Sequence, residues 1–203
     1  MIALVDYGAG NLENVRRGLR RLGRPCDVFP RPEGLEGASL ILLPGVGAFG
    51  PAVAALRETG WFDALIAWAG AGRPLLGICL GMQLLCQGSR EEGDHQGLGL
   101  LAGTVEPLGT LRCPHMGWNR AVWTRDLPPL GRAGEEAGCF YFVHGYALPP
   151  GPDTLGECTE EDRTFTALAG RGPVMGCQFH PERSGPEGAR LLGGLLDLLE
   201  GRP

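Results

Sequence analysis

The chain has 203 residues, 43% of them apolar, with 18 basic and 23 acidic side chains for a net charge of −5. That is about one full-sized domain, with enough apolar mass for a sizeable core and a composition far from that of a disordered chain. Its 35 glycines and 17 prolines follow no triplet period and no basic run exceeds a pair, which argues against fibrous or low-complexity chains and against nucleic-acid or anionic-membrane partners.

Taken in chain order, Ile2 to Val5 reads as a strand, followed by a Gly8-Ala9-Gly10 turn and an Asn11-capped helix ending near Gly23. Asp27 to Phe29 and Leu40 to Leu43 are further strands, the latter stopping at Pro44. Helical patterns cover Ala52 to Glu58 and Trp61 to Trp68. Leu75 to Cys79 is a strand and Leu80 to Gln87 a helix, which puts Cys86 seven residues after Cys79 on the same helix, packed rather than reactive. This alternation predicts a parallel sheet with helices on both faces. From about Thr104 short β-prone pieces (Ala121 to Thr124, Cys139 to Tyr146, Phe165 to Leu168, Val174 to Phe179) separated by Pro/Gly turns suggest added or antiparallel strands. Ser184 and Glu187 form an S-x-x-E capping box before a leucine-rich final helix. No repeat or long linker divides the chain, so one α/β domain over residues 1–203 is expected.

The longest nearly apolar run, Pro74 to Cys86, is shorter than the roughly 20 residues that span a bilayer. The amino terminus has no basic stretch and carries Asp6, so no signal peptide is expected. Seven irregularly spaced cysteines read as reduced thiols, and the expected location is the cytoplasm. No metal-ligand spacing stands out.

Chemistry concentrates at Gly77-Ile78-Cys79-Leu80-Gly81, a G-x-C-x-G strand-to-helix elbow with cysteine in the nucleophile position. The turn presents the thiol at a helix N-terminus, where the dipole and free N–H groups favour thiolate, and the next N–H points toward a developing oxyanion. A thiol nucleophile needs a base and an orienting group. Of the four histidines, only His180 closes a strand with a carboxylate two residues on, in His180-Pro181-Glu182. Pro181 favours an extended His180, so side chains i and i+2 share a face and Glu182 can fix the imidazole. Among the others, His144 is the one with a claim near the active site, with a structural or interface role favoured over a catalytic one. One competing motif is Gly45-Val46-Gly47-Ala48-Phe49-Gly50, literally the G-x-G-x-x-G dinucleotide fingerprint. It follows the third strand rather than the first, and Pro51 sits at the helix start. The alternative use of this loop is to aim N–H groups beside Cys79.

Pro44-Gly45-Val46-Gly47, Gly77-Ile78-Cys79-Leu80-Gly81-Met82-Gln83 and Phe179-His180-Pro181-Glu182 together resemble the class I (triad) glutamine amidotransferases. Within them, Gly8-Ala9-Gly10-Asn11 with Asn14, Pro114-His115-Met116-Gly117-Trp118-Asn119 and Tyr141-Phe142-Val143-His144-Gly145-Tyr146 are similar to the glutaminase subunits of imidazole glycerol phosphate synthases. The resemblance implies a flavodoxin-like three-layer α/β sandwich, with a central, mostly parallel sheet and helices on both faces. It implies that Cys79 attacks the side-chain amide of L-glutamine while His180, held by Glu182, moves protons, giving a γ-glutamyl thioester, ammonia and then glutamate. Backbone N–H groups of Val46 or Gly47 and of Leu80 would form the oxyanion hole. Gln83, Glu91, Gly145 and Tyr146 would bind substrate. No cofactor or metal is implied. The implied partner is the (β/α)8-barrel cyclase subunit, which uses the ammonia to make imidazole glycerol phosphate and aminoimidazole carboxamide ribotide in histidine biosynthesis. Asn11, Asn14, Trp118, Tyr141 and Arg183 would face that barrel. A subunit of this kind is expected to be slow alone, with the loop at Gly45 to Gly47 rearranging before its donors face Cys79. Two positions depart from the pattern: Arg183 stands where lysine is usual, and Gly145 where serine or threonine is usual. A glutaminase serving pyridoxal phosphate synthesis is the alternative with the same triad, and a nucleotide-binding module using Gly45 to Gly50 is the alternative from another class.

Overall fold

A computed structural model describes residues 1–202. β1 (Ile2–Val5) leads into α1 (Leu12–Arg21), whose first turn is capped by the Asn11 side chain accepting the Asn14 N–H at 3.2 Å. β2 (Cys26–Phe29) and β3 (Leu40–Gly45) follow, then α2 (Phe49–Glu58), α3 (Trp61–Gly70), β4 (Leu75–Cys79) and α4 (Leu80–Leu85). α2 begins three residues before the expected Ala52, because Pro51 lies in the first turn, where its missing N–H has no intrahelical partner to lose.

α4 does not continue to Gln87. The N–H groups of Leu98, Leu100 and Gly99 donate to the carbonyls of Leu84, Leu85 and Cys86, so the chain leaves the helix and becomes β5 (Cys86–Ser89). Cys86 therefore opens a strand and is not on the helix that follows Cys79. β6 (His95–Gln96) and β7 (Leu101–Pro107) belong with β5, and β8 (His115–Trp123), β9 (Glu136–His144) and β10 (Tyr146–Ala147) come next. β11 (Thr154–Glu160), β12 (Arg163–Arg171) and β13 (Val174–Cys177) lead through a 3₁₀ turn at Pro181–Arg183 into α5 (Gly185–Glu200).

The main sheet has nine strands in the order β2-β1-β3-β4-β13-β12-β11-β8-β9. It is parallel from β2 to β13 and antiparallel from β13 to β9. The parallel half has the doubly wound flavodoxin-like order, and the antiparallel half arises where connections shorten to turns. Leu40, Leu42, Leu76 and Ile78 point to one face and pack with Val15 and Leu19 of α1 and the leucines of α5. Ile41, Leu43 and Leu75 point to the other, against α2, α3, α4 and a second sheet, β10-β7-β5-β6, through Leu101 and Val105. That second sheet and β11 are absent from the sequence-based expectation. No helix among the described residues is long and apolar enough to cross a membrane.

Ser184 and Glu187 do not form the expected capping box. The Ser184 hydroxyl donates to the His180 carbonyl at 2.7 Å and accepts the Tyr141 N–H at 2.9 Å, and Glu187 Oε2 accepts the Cys139 N–H. Both side chains are drawn from their own helix to β9, whose outward-facing amides have no neighbouring strand. Ser184 is fully buried, so Ser184→Ala strands the Tyr141 N–H. We expect a loss of about 1–3 kcal/mol, read as a lower urea midpoint at unchanged slope.

Candidate active site

Three neighbouring parallel strands end at one level. β3 pairs with β4 so that Gly45 lies opposite Cys79, and β13 pairs with β4 so that Cys177 lies opposite Ile78. The β3 loop, the cysteine elbow and the histidine segment therefore leave the sheet side by side, at the carboxyl ends where open α/β sheets bind ligands. Cys79 has φ 55° and ψ −114°, a strained conformation for a residue with a Cβ. The elbow closes because a Cβ at Gly81 would overlap the Leu43 carbonyl oxygen, and one at Gly77 would lie 2.7 Å from the Met82 nitrogen. Cys79 is 5% exposed and precedes the first residue of α4.

His180 follows β13. Its backbone N–H donates to the Tyr141 carbonyl at 2.9 Å, and its Nδ1 lies 2.9 Å from Glu182 Oε1. Glu182 reaches the ring from within the 3₁₀ turn rather than along extended chain, because Pro181 starts that turn directly after an extended His180 (φ −100°, ψ 91°). Nε2 of His180 and Oε2 of Glu182 are buried without a hydrogen-bond partner. Burial works against an imidazolium here, but the Cys79 sulfur and the Glu182 carboxylate outweigh it and raise the His180 pKa to about 10. Elsewhere in the core, burial pushes the Cys86 and Cys158 thiols up to about 12 and Cys177 well above its ordinary value.

Cys79 and His180 line a cavity of about 170 Å³. The structure brings Val46, Gly47, Leu80, Gln83, Glu91, Gly145 and Tyr146 to the same cavity. Glu91 Oε2 accepts the Phe49 N–H at the start of α2 at 2.8 Å. The third glycine of the G-x-G-x-x-G string makes room for a ring, since a Cβ at Gly50 would lie 2.7 Å from His95 Cε1. Gly145 also has a steric reason, because a Cβ there would sit 3.2 Å from the Cys113 sulfur. A serine or threonine there would require the Cys113 sulfur to shift by a few tenths of an ångström.

Asn11, Asn14, Trp118, Tyr141 and Arg183 lie outside this cavity. Trp118 and Tyr141 are cross-strand partners with ring centroids 6.3 Å apart, and the Arg183 guanidinium lies 4.3 Å from the Tyr141 ring centre. These three form one cluster with Trp118 57% exposed, and arginine suits the stacked position by its planarity. Asn11 borders a small cavity that His180 and Glu182 also line, and Asn14 sits in the first turn of α1, its N–H donated to the Asn11 side chain.

His144 lines the cavity beside Cys79, near the active site as its sequence context indicates. Its Nδ1 lies 2.9 Å from the Tyr146 carbonyl and its Nε2 3.2 Å from His115 Nδ1. A carbonyl only accepts, so the His144 proton is on Nδ1 and His115 donates to Nε2. Burial first, then His115, hold the His144 pKa down to about 3. Two groups escape the sequence reading. The Tyr7 hydroxyl is buried and unpartnered beneath Gly45, and Gln178 is completely buried beside Cys79. Only Gln178 left a sequence signal, standing two residues before His180 on extended chain.

A family model described as glutamine amidotransferase class-I matches residues 3–195. The imidazole glycerol phosphate synthase subunit HisH of Desulfitobacterium hafniense (strain DSM 10664 / DCB-2) is 46% identical over 195 residues, covering 95% of this chain and 92% of that one. The protein of the same description from Geobacillus kaustophilus is 44% identical, covering 100% and 99%. That from Xanthomonas campestris pv. campestris (strain 8004) is 46% identical, covering 97% of each. Among solved structures, one described as a glutamine amidotransferase aligns with a TM-score of 0.76 at 23% identity, covering 99% of this chain and 100% of that chain. PurLQS from Thermotoga maritima aligns with 0.77 at 21%, covering 98% of each. Both are likenesses of fold.

Of the three buried histidines, His144 and His180 make opposite contributions to stability. His180 holds its proton more tightly when folded, so its contribution is complete below its ordinary pKa of 6.5 and is lost as pH rises toward about 10. His144 resists protonation when folded, so its contribution is complete above 6.5 and is lost as pH falls toward about 3. Urea midpoints measured across this range should fall on both sides. Glu182→Gln should flatten the alkaline arm alone and His144→Gln the acid arm alone.

Proposed function

The chain belongs to the class I glutamine amidotransferase family, and we propose that it is the glutaminase subunit of an imidazole glycerol phosphate synthase. It hydrolyses L-glutamine to glutamate and ammonia, and the ammonia passes to a (β/α)8-barrel cyclase subunit that makes imidazole glycerol phosphate and aminoimidazole carboxamide ribotide in histidine biosynthesis. The observation that carries the reading is identity of 44–46% along nearly the whole length of subunits with that description. The whole chain, residues 1–203, acts as one amidotransferase domain in the cytoplasm.

The residues divide the chemistry as follows. Cys79, as thiolate at the start of α4, attacks the amide carbon, and the charge that develops on oxygen is met by N–H groups of Leu80 and of Val46 or Gly47. His180, as imidazolium, gives its proton to the leaving nitrogen as the carbon–nitrogen bond breaks, which releases ammonia and leaves a γ-glutamyl thioester. The neutral imidazole then takes a proton from water, the hydroxide adds to the thioester, and carbon–sulfur cleavage returns thiolate and glutamate. Glu182 keeps the ring oriented and stabilises its charged form. Within the substrate pocket, one Glu91 oxygen is held by Phe49, so the other faces the substrate ammonium. The Tyr146 carbonyl already accepts Gln83 Nε2 and His144 Nδ1, so both its lone pairs are used. Substrate recognition on that strand falls to N–H groups. The exposed cluster of Trp118, Tyr141 and Arg183, with Asn11 and Asn14, faces the cyclase.

Glutamate release from glutamine, measured for the chain alone and with the cyclase subunit plus its ribotide ligand, tests the reading. Turnover should depend on the liganded partner and vanish in Cys79→Ala. Equal turnover with and without partner would remove the regulated-subunit assignment, and no release in either condition would remove the glutaminase itself. Trp118→Ala should weaken partner binding roughly tenfold or more, as for a central aromatic anchor, in a titration monitored by activity.

A further inference from the structure

Gln178 is fully buried at the end of β13. Its side-chain amide nitrogen lies 3.8 Å from the Cys79 sulfur, and its oxygen accepts Gln83 Nε2 at 3.0 Å. Which end of each amide points where is settled by one backbone group. Tyr146 O can only accept and lies 2.9 Å from the Gln83 amide, so Gln83 must present its NH₂ there. The second hydrogen of that NH₂ goes to Gln178, which fixes the Gln178 oxygen toward Gln83 and its NH₂ toward sulfur. Neither amide can flip without leaving donor facing donor or acceptor facing acceptor in a dry interior.

We propose that Gln178 is a catalytic residue of this site, an N–H donor to the Cys79 thiolate, and that Gln83 and the Tyr146 carbonyl hold it in that orientation. An amide suits this work. It stabilises charge on sulfur yet has no proton to give away, so it does not compete with His180 as the acid of the reaction. A neutral donor also shares with the imidazolium the stabilisation of negative charge on sulfur, before the thiolate attacks and again when carbon–sulfur cleavage regenerates it. The other titratable groups around the sulfur are His180 and Glu182 after β13, Cys177 on β13, Tyr7 after β1, and Glu91 and His144 across the cavity. The proposal rests on the glutaminase reading for its catalytic meaning, but its control of the sulfur can be measured without glutamine.

Two variants of the full-length chain decide it. Gln178→Met removes the amide at similar length. Gln178→Glu keeps an acceptor for Gln83 and similar shape but turns an oxygen to the sulfur, so it separates loss of the donor from loss of packing. The rate of Cys79 alkylation by iodoacetamide is followed against pH, with thermal melting to confirm folding and Cys79→Ala as blank. Both variants should alkylate about 10-fold or more slowly at neutral pH, the range expected when a hydrogen bond to a charged atom is lost, with the midpoint moved to higher pH. Gln178→Glu should be at least as severe as Gln178→Met. In complex with the cyclase, kcat for glutamate release should fall about 10- to 100-fold while KM stays within roughly threefold. If either folded variant keeps the wild-type alkylation midpoint, the inference is overturned and Gln178 is a packing residue. If wild-type protein with its partner releases no glutamate, the functional reading fails, and the alkylation profiles still decide whether Gln178 holds the sulfur.

Discussion

The site depends on the contact of the α4 N-terminus with β3. Gly81 lies so close to the Leu43 carbonyl that no side chain fits between them. That approach pins the start of α4 directly over the ends of β3 and β4, and it forces Cys79 into its positive-φ turn. Every other part of the site is measured from there. The β3 loop stands opposite the elbow because Gly45 pairs with Cys79, and His180 stands on the other side because β13 is the next parallel strand. Two or three residues of extra distance along any of these strands would separate the nucleophile from its base.

Much of this was legible in the sequence because the rules involved are local. A strand running into glycine, cysteine and glycine before an apolar helical run admits few conformations. Asn11 before a helix and proline after histidine are equally direct. What was not legible depends on partners distant in the chain. Cys86 follows an apolar stretch too short to tell helix from strand, and the choice was made by amides of Leu98 to Leu100 that pull the chain out of the helix. Ser184 and Glu187 have the spacing of a capping box, yet their best acceptor and donor partners lie on β9. Gln178 was invisible as chemistry because its role is defined by Gln83, Tyr146 and Cys79, three residues on other elements.

The cavity also shows how one fold keeps two histidines in opposite states a short way apart. Both are buried, and burial alone would neutralise both. His180 has the Cys79 sulfur on one side and the Glu182 carboxylate on the other, and together they outweigh burial and raise its pKa. His144 has a carbonyl and another imidazole, which do not outweigh it, and its pKa is lowered. The neutral ring then serves as a fixed dipole in the wall, oriented by the same Tyr146 carbonyl that orients Gln83.

β9 is the last strand of the nine-stranded sheet. His180 N–H, the Ser184 hydroxyl and the Glu187 carboxylate occupy its outward backbone groups at Tyr141 and Cys139. An uncovered strand edge is a template for the strands of other molecules, and this one alternates with buried phenylalanines at 140 and 142. The bonds that seat His180 thus also cover this stretch of the β9 edge against intermolecular pairing. The placement of His180 and the covering of a sheet edge are here a single property of one segment, so a change that loosens one loosens the other.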